Sequence, residues 1–255
     1  GYTGGRKAFL PGTAGYGSIE QNHSHAMDPS AGVLRLEGNP VHEDMVEAMS
    51  FVPARKIFAV MTVLDGDHKL CGITAGDMAE SFESAVRIAE QIFVVPVDGH
   101  ADIVVSVVKH PMDLDLYQSH KAIENARNAL KKGGIIILVS ECGDGAGNDA
   151  FVKLLASAEK PRDVYSRLGR EYRLGSHKAV RLAQLLEHSR IWTVTGIEDS
   201  LIESIFMRQF PSVQSALDTA VETVGPDARI LVVPDGSMTV PVPNESPLAL
   251  HYAGC

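Results

Sequence analysis

From residue 98 to residue 238, short runs of Val, Ile and Leu alternate with stretches whose apolar residues recur at helical spacing. ADIVVSVVK (101–109), IIILVSEC (135–142), RIWTVTGI (190–197) and ARILVVP (228–234) read as strands. The stretches 115–132, about 148–158, 176–188 and 211–224 read as helices, the first ending at Lys131, Lys132 and the pair Gly133-Gly134. Strands that lack polar alternation are buried on both faces. The pattern therefore predicts an α/β fold: a mostly parallel sheet with helices on both faces.

Residues 1–97 follow a different pattern and are expected to form part of a second α/β domain. Residues 1–50 are rich in loop formers, apart from a helix over VHEDMVEAMSFV that Asn39-Pro40 would start. KIFAVMTVL (56–64) and KLCGITAG (69–76) read as a hairpin turning at Asp65-Gly66-Asp67-His68, and 77–92 as an amphipathic helix. Residues 239–255 are expected to return to the first domain.

The 255 residues are 45% hydrophobic and 22% charged, enough for a full core. The net charge of −9 argues against nucleic acid as main partner, and no apolar run has the length of a membrane span. Cys71, Cys142 and Cys255 are widely spaced and form no CxxC pair, which fits reduced thiols in a cytoplasmic protein. The chain starts at Gly1, without Met and already inside a glycine-rich motif, so a fragment of a longer protein is expected.

Five stretches carry candidate chemistry. Gly4-Gly5-Arg6-Lys7 places one lysine beside flexible backbone, as a phosphate contact or covalent amine requires; a solvated lysine in a loop is the plain alternative. His23 and His25 in NHSH could take nickel, zinc or copper, or sit as surface histidines. Gln118 and Lys121 in DLDLYQSHK follow a buried strand and share a helix face, where amide and ammonium could hold a small carboxylate. Asp115 as a helix cap would explain Gln118 equally well. Gly143, Gly145 and Gly147 mimic a dinucleotide fingerprint, but Asn148 stands where the last glycine belongs. Gly175-Ser176-His177-Lys178 opens another helix in the same manner.

Taken in order, GGRKAFLPG, NHSH, GNPVHEDM, DLYQSHKA and VSECGDGAGNDAF resemble the nickel-dependent lactate racemase family over nearly the whole chain. The match is to the later half of the cofactor-binding N-terminal domain (1–97) and the whole C-terminal domain (98–238). The resemblance implies a nickel-pincer nucleotide, the pyridinium-3,5-bisthiocarboxylic acid mononucleotide carrying nickel, joined covalently to Lys7 and made by separate cofactor-synthesis proteins. It implies that Gly4 and Gly5 give the ring and phosphate room, that His23 is the metal ligand, and that Gln118, Lys121 and His177 contact substrate. The implied activity is racemisation or epimerisation of a 2-hydroxy acid by reversible hydride transfer at C2. The family's paired acid/base histidines, and an arginine that grips the carboxylate, lie before the GG-x-K motif. None of the ten histidines here takes the catalytic role, and this stretch alone is expected to be inactive. Two other readings stay open from the residues themselves: a non-catalytic nucleotide- or metabolite-binding α/β module, and a plain metal site at His23 and His25.

Overall fold

The computed structural model describes residues 2–168 and 172–246. They fall into two compact units: residues up to Val94 joined by Tyr172–His177, and the remainder from Val95 onward. The last residues of the expected return segment, 247–255, and with them Cys255, lie outside the described residues.

The first unit opens with a 3-10 turn, Gly5–Ala8, and helix α1 (Tyr16–Ser24). A helix at α1 was not legible in a stretch holding Gly15 and Gly17, and it corrects the loop expected around His23. Helix α2 (Pro40–Ser50) begins as anticipated, with the Asn39 side chain accepting from the Val41 amide and Pro40 in the first turn. Strands β1 (Ala59–Leu64) and β2 (Leu70–Gly76) pair antiparallel. In their turn, Asp65 Oδ1 accepts from the amides of Asp67 and Lys69. Alternation sends Ala59 and Val63 inward, toward helix α3 (Met78–Phe93), which Asp77 caps. The other face of this hairpin carries the exposed Val60 and Ile73.

The second unit has its own core. Strand β3 (Val94–Val97) pairs with the late strand β9 (Val240–Pro243). Between them run β4 (Ala101–Val107), α4 (Leu116–Ala126), β5 (Leu130–Val139), α5 (Asp149–Ala156), α6 (Val164–Leu168), α7 (Ser176–Leu186), β6 (Arg190–Val194), α8 (Asp199–Ser204), β7 (Arg208–Gln209), α9 (Val213–Val224) and β8 (Ile230–Val233). The sheet order is β7-β6-β5-β4-β8, with every pair parallel. Residues of alternate parity face opposite sides. Ile103, Val105, Ile135, Ile137 and Trp192 pack against Ala216 and Ala220 of α9. On the opposite face Ser106 donates to the Ala122 carbonyl of α4.

One boundary differs from the sequence expectation. The helix after β4 stops at Ala126, a 3-10 turn covers Arg127–Ala129, and the Lys-Lys-Gly-Gly stretch lies inside β5 rather than ending a helix. The reason is a bulge: Ala101 pairs with Leu130 but Ile103 with Ile135. Gly133 takes a φ of 84°, and a Cβ on Gly134 would sit 2.8 Å from the Asp102 carbonyl oxygen. The glycines let two backbones approach.

Candidate functional site

In the first unit, Gly4 (φ 80°) and Gly5 (φ 52°) set the turn that carries Lys7. The Lys7 amide donates to the Gly4 carbonyl (3.1 Å), and the Gly12 amide closes back on the Lys7 carbonyl (3.0 Å). A Cβ on Gly5 would meet the Phe82 ring at 2.8 Å, whereas one on Gly4 would meet nothing within 4 Å. Gly5 thus allows tight packing beneath the turn, and Gly4 leaves open space beside it. Lys7 is half-buried. Its neighbour Arg6 points inward, its guanidinium 4.4 Å over the Phe82 ring, with one donor on the Tyr2 carbonyl at 2.9 Å. Burial lowers the Arg6 pKa to about 10, so it remains charged at neutral pH. His42, stacked on the same ring, is pushed down by burial and then by Arg6.

His23 sits in the last turn of α1, with Nδ1 2.8 Å from the Ile19 carbonyl. A carbonyl only accepts, so Nδ1 carries the proton in the neutral ring and the lone pair falls on Nε2. This tautomer is the one a metal ligand needs, with the orienting bond to backbone already made. Asn22 beside it is buried and ties α1 to α2, donating to the Val41 carbonyl (3.1 Å) and to Asp44 (2.8 Å). His25 starts a separate 3-10 turn, and no group of three His, Cys, Asp or Glu suited to a metal occurs among the described residues. A protein-only metal site therefore has no support here.

His177 comes to His23. Their ring centroids are 5.5 Å apart, and the Tyr172 hydroxyl lies 2.6 Å from His177 Nδ1. The segment is pinned where the Leu174 amide donates to Glu20 of α1 (3.0 Å). Nothing in the spacing of the sequence announced Tyr172, whose partner is a tertiary neighbour.

In the second unit Gln118 and Lys121 open α4, directly beyond the carboxyl end of β4. There β4 lies between β5 and the last strand of the sheet, β8, and chain order reverses. Asp115 caps the helix, accepting from the Gln118 amide at 2.6 Å, so the cap and the candidate site share a residue. The glycine-rich loop folds over this end, its Gly145 carbonyl accepting from Leu116 (3.0 Å). Asn148 caps α5 through the Phe151 amide, which accounts for the asparagine where a nucleotide fingerprint would have glycine. Lys178, from the first turn of α7, donates to the Tyr117 carbonyl, with Nζ 3.7 Å from the centre of the Tyr117 ring. Burial, and then the nearby Lys121, lower its pKa to about 8. Burial also lowers Lys121. Farther along α4, Glu124 binds Arg181 through Nε (3.0 Å) and Nη2.

Residues 97–241 match the lactate racemase C-terminal domain, and residues 1–33 match the lactate racemase N-terminal domain. The chain belongs to the lactate racemase family. The lactate racemase of Thermoanaerobacterium thermosaccharolyticum is 31% identical over 243 residues, spanning 92% of this chain and 57% of that protein. That of Lactiplantibacillus plantarum is 32% identical over 244 residues, with the same coverage of 92% and 57%. The solved lactate racemase apoprotein from T. thermosaccharolyticum superposes with a TM-score of 0.87, covering 94% of this chain and 59% of that one. A Thermotoga maritima structure at 16% identity and a TM-score of 0.66 shares the fold. This member of the lactate racemase family thus spans 57% of the length of the curated relatives it matches. No helix among its described residues is long and apolar enough to cross a membrane.

Proposed function

We propose that this chain carries part of the active site of a racemase or epimerase acting on a lactate-type 2-hydroxy acid, with a nickel-pincer nucleotide held on Lys7 and His23. Membership of the lactate racemase family supports the reaction class. The observation that carries the cofactor reading is His23, whose Nδ1 is committed to the Ile19 carbonyl so that Nε2 bears the lone pair. Helix α2 packs against both the Lys7 turn and α1. The donor chemistry fits: a lysine in a turn whose Gly4 has nothing within 4 Å of an added Cβ, and an imidazole in the metal-binding tautomer.

When bound, such a pyridinium nucleotide supplies hydride chemistry that the weakly acidic C2–H of a hydroxy acid otherwise denies to simple bases. The protein's part is to bind and orient. Lys7 would hold the group through its side-chain amine, with Gly4 and Gly5 keeping side chains out of the way. His23 would offer Nε2 to nickel. Gln118 and Lys121 engage the substrate carboxylate by amide hydrogen bond and by charge. The Tyr172 hydroxyl, 2.6 Å from Nδ1, fixes the ring of His177, which lies beside His23 and would contact the substrate. The proton on the C2 hydroxyl is handled by none of the histidines assigned here. Cofactor-synthesis proteins are the implied partners, and the cytoplasm is the implied compartment.

The test is mass spectrometry after co-production with the cofactor-synthesis proteins. The expected result is an adduct mapped to Lys7, lost in Lys7→Arg. In His23→Ala the adduct should persist while bound nickel falls. A cofactor-loaded protein with unmodified Lys7 would overturn the reading. Thermal stabilisation by nucleotides without nickel would favour the binding-module alternative, which the strand-to-helix turn at Gly143–Gly147 keeps open.

A further inference from the structure

Lys178 of α7 reaches Tyr117 in the first turn of α4, one helical turn before Lys121, and Lys121 depresses the protonation of Lys178, yet neither lysine forms an ion pair among the described residues. Elsewhere in the unit lysines find carboxylates: Lys131 holds Asp102 at 2.9 Å and Lys153 holds Asp149 at 2.8 Å. The two acids that act on Lys178 from α4 and its cap favour its charged form without pairing with it. Asp115 accepts from the Gln118 amide, and Glu124 holds Arg181, which follows Lys178 on α7. The Lys178 ammonium instead donates to the Tyr117 carbonyl and lies over the Tyr117 ring, next to Gln118 in sequence. A carbonyl and a π face use only part of an ammonium's three donors and neutralise none of its charge. A partly buried cation without a counter-ion costs free energy, and a second cation beside it adds to the cost. Such a pair is satisfied by an anion.

We propose that Lys178 is the second ammonium of the carboxylate site, acting beside Lys121 on the carboxylate of the 2-hydroxy acid. This rests on the reading of Gln118 and Lys121 as substrate-binding residues. A bound carboxylate favours the charged form of Lys178, whose pKa without ligand is about 8. Binding near pH 8.5 then takes up a proton, and affinity falls as the pH rises and Lys178 deprotonates.

The experiment is titration of the full chain with sodium lactate against sodium chloride at equal ionic strength. Amide shifts over Tyr117–Lys121 report binding, and calorimetry in buffers of different ionisation enthalpy reports proton uptake. Lys178→Gln should weaken lactate binding about tenfold, equivalent to about 1.4 kcal/mol. Lys178→Arg should keep most of the affinity and lose the proton uptake, because guanidinium stays charged. Should Lys178→Gln destabilise the fold, Lys178→Arg decides: the fall in affinity across pH 7–10 should be smaller in it than in the wild type, and a fall that it leaves unchanged belongs to Lys121 and overturns the inference. If Lys121→Ala weakens binding while Lys178→Gln and rising pH do not, this inference fails and the substrate reading stands. If lactate perturbs none of these amides, or Lys121→Ala and Gln118→Ala leave binding unchanged, the substrate reading falls and takes this one with it.

Discussion

The two units treat their buried groups differently. In the second, both sheet faces are covered, and Ile103, Ile135, Ile136, Ile137 and Leu138 have no exposed surface. Its buried carboxylate, Glu124, faces Arg181, Arg127 and His120. In the first, a two-stranded sheet is covered on one face by α3, while Phe58 is 75% exposed, Val60 65% and Ile73 59%. Its buried cation, Arg6, has Nε and Nη1 without hydrogen-bond partners; in the second unit the unpartnered buried atoms include Asp113 Oδ1, His120 Nε2 and Glu124 Oε1. The second unit sets its buried carboxylate against cations, whereas the buried cation of the first faces an aromatic ring and a carbonyl. The first unit rests its Lys7 turn on the packing of Arg6 and Gly5 against the Phe82 ring.

Breaking the scaffold's buried charge pair should have the largest effect. Glu124→Gln removes the carboxylate charge that Arg181, Arg127 and His120 face, at a cost of about 3–5 kcal/mol. Urea unfolding followed at Trp192, in the core of that unit, should show it. A loss under about 1 kcal/mol would mean the pair is solvated, and the contrast with Arg6 would disappear.

Acid sharpens the same contrast with a smaller effect. Burial holds His120 down to about 3, against the opposing pull of Glu124. The unfolded chain therefore takes up a proton below about 6.5 that the folded chain refuses, and stability is full above that value and declines as the pH falls towards 3. The expected slope is about 1.4 kcal/mol per pH unit. Burial raises the Glu124 carboxyl, but Arg181, His120 and Arg127 outweigh it and the net pKa is lowered. Its own contribution is thus present above its usual 4.5 and lost below. His120→Gln should flatten the decline between pH 6.5 and 4.5 and leave the steeper acid limb; an unchanged slope would place the titrating group elsewhere.

The same division explains what could be read from sequence. The strands of the second unit were legible because double burial writes itself as unbroken Val/Ile/Leu, and the caps at Asn39 and Asp115 because a side chain and a local amide suffice. Lys131–Gly134 misled because glycines after a helix pattern commonly mark a C-cap, whereas here they admit the Asp102 backbone, a tertiary demand. Helix α1 was hidden by Gly15 and Gly17 and by the absence of a side-chain cap. Without that helix, the His23–Ile19 bond four residues back, which selects the metal-binding tautomer, could not be foreseen. The motif residues named the family; the roles of Tyr172, Arg6 and Lys178 depend on neighbours distant in sequence.

The smallest effect belongs to the open face of the hairpin. Ile73, opposite Thr62 in the antiparallel pair, points away from α3 and is 59% exposed. Replacing it with Thr keeps the β-branched shape and strand preference while removing little buried area, so stability should move by no more than about 0.5 kcal/mol. Val63 on the inner face is 8% exposed, and Val63→Thr places a hydroxyl against apolar neighbours, at a cost of roughly 1–3 kcal/mol. Thermal unfolding of the two variants side by side measures the difference. A loss above about 1.5 kcal/mol for Ile73→Thr, especially one that grows with protein concentration, would mean that this face is covered in solution by another copy of the chain. The first unit would then be as fully packed as the second.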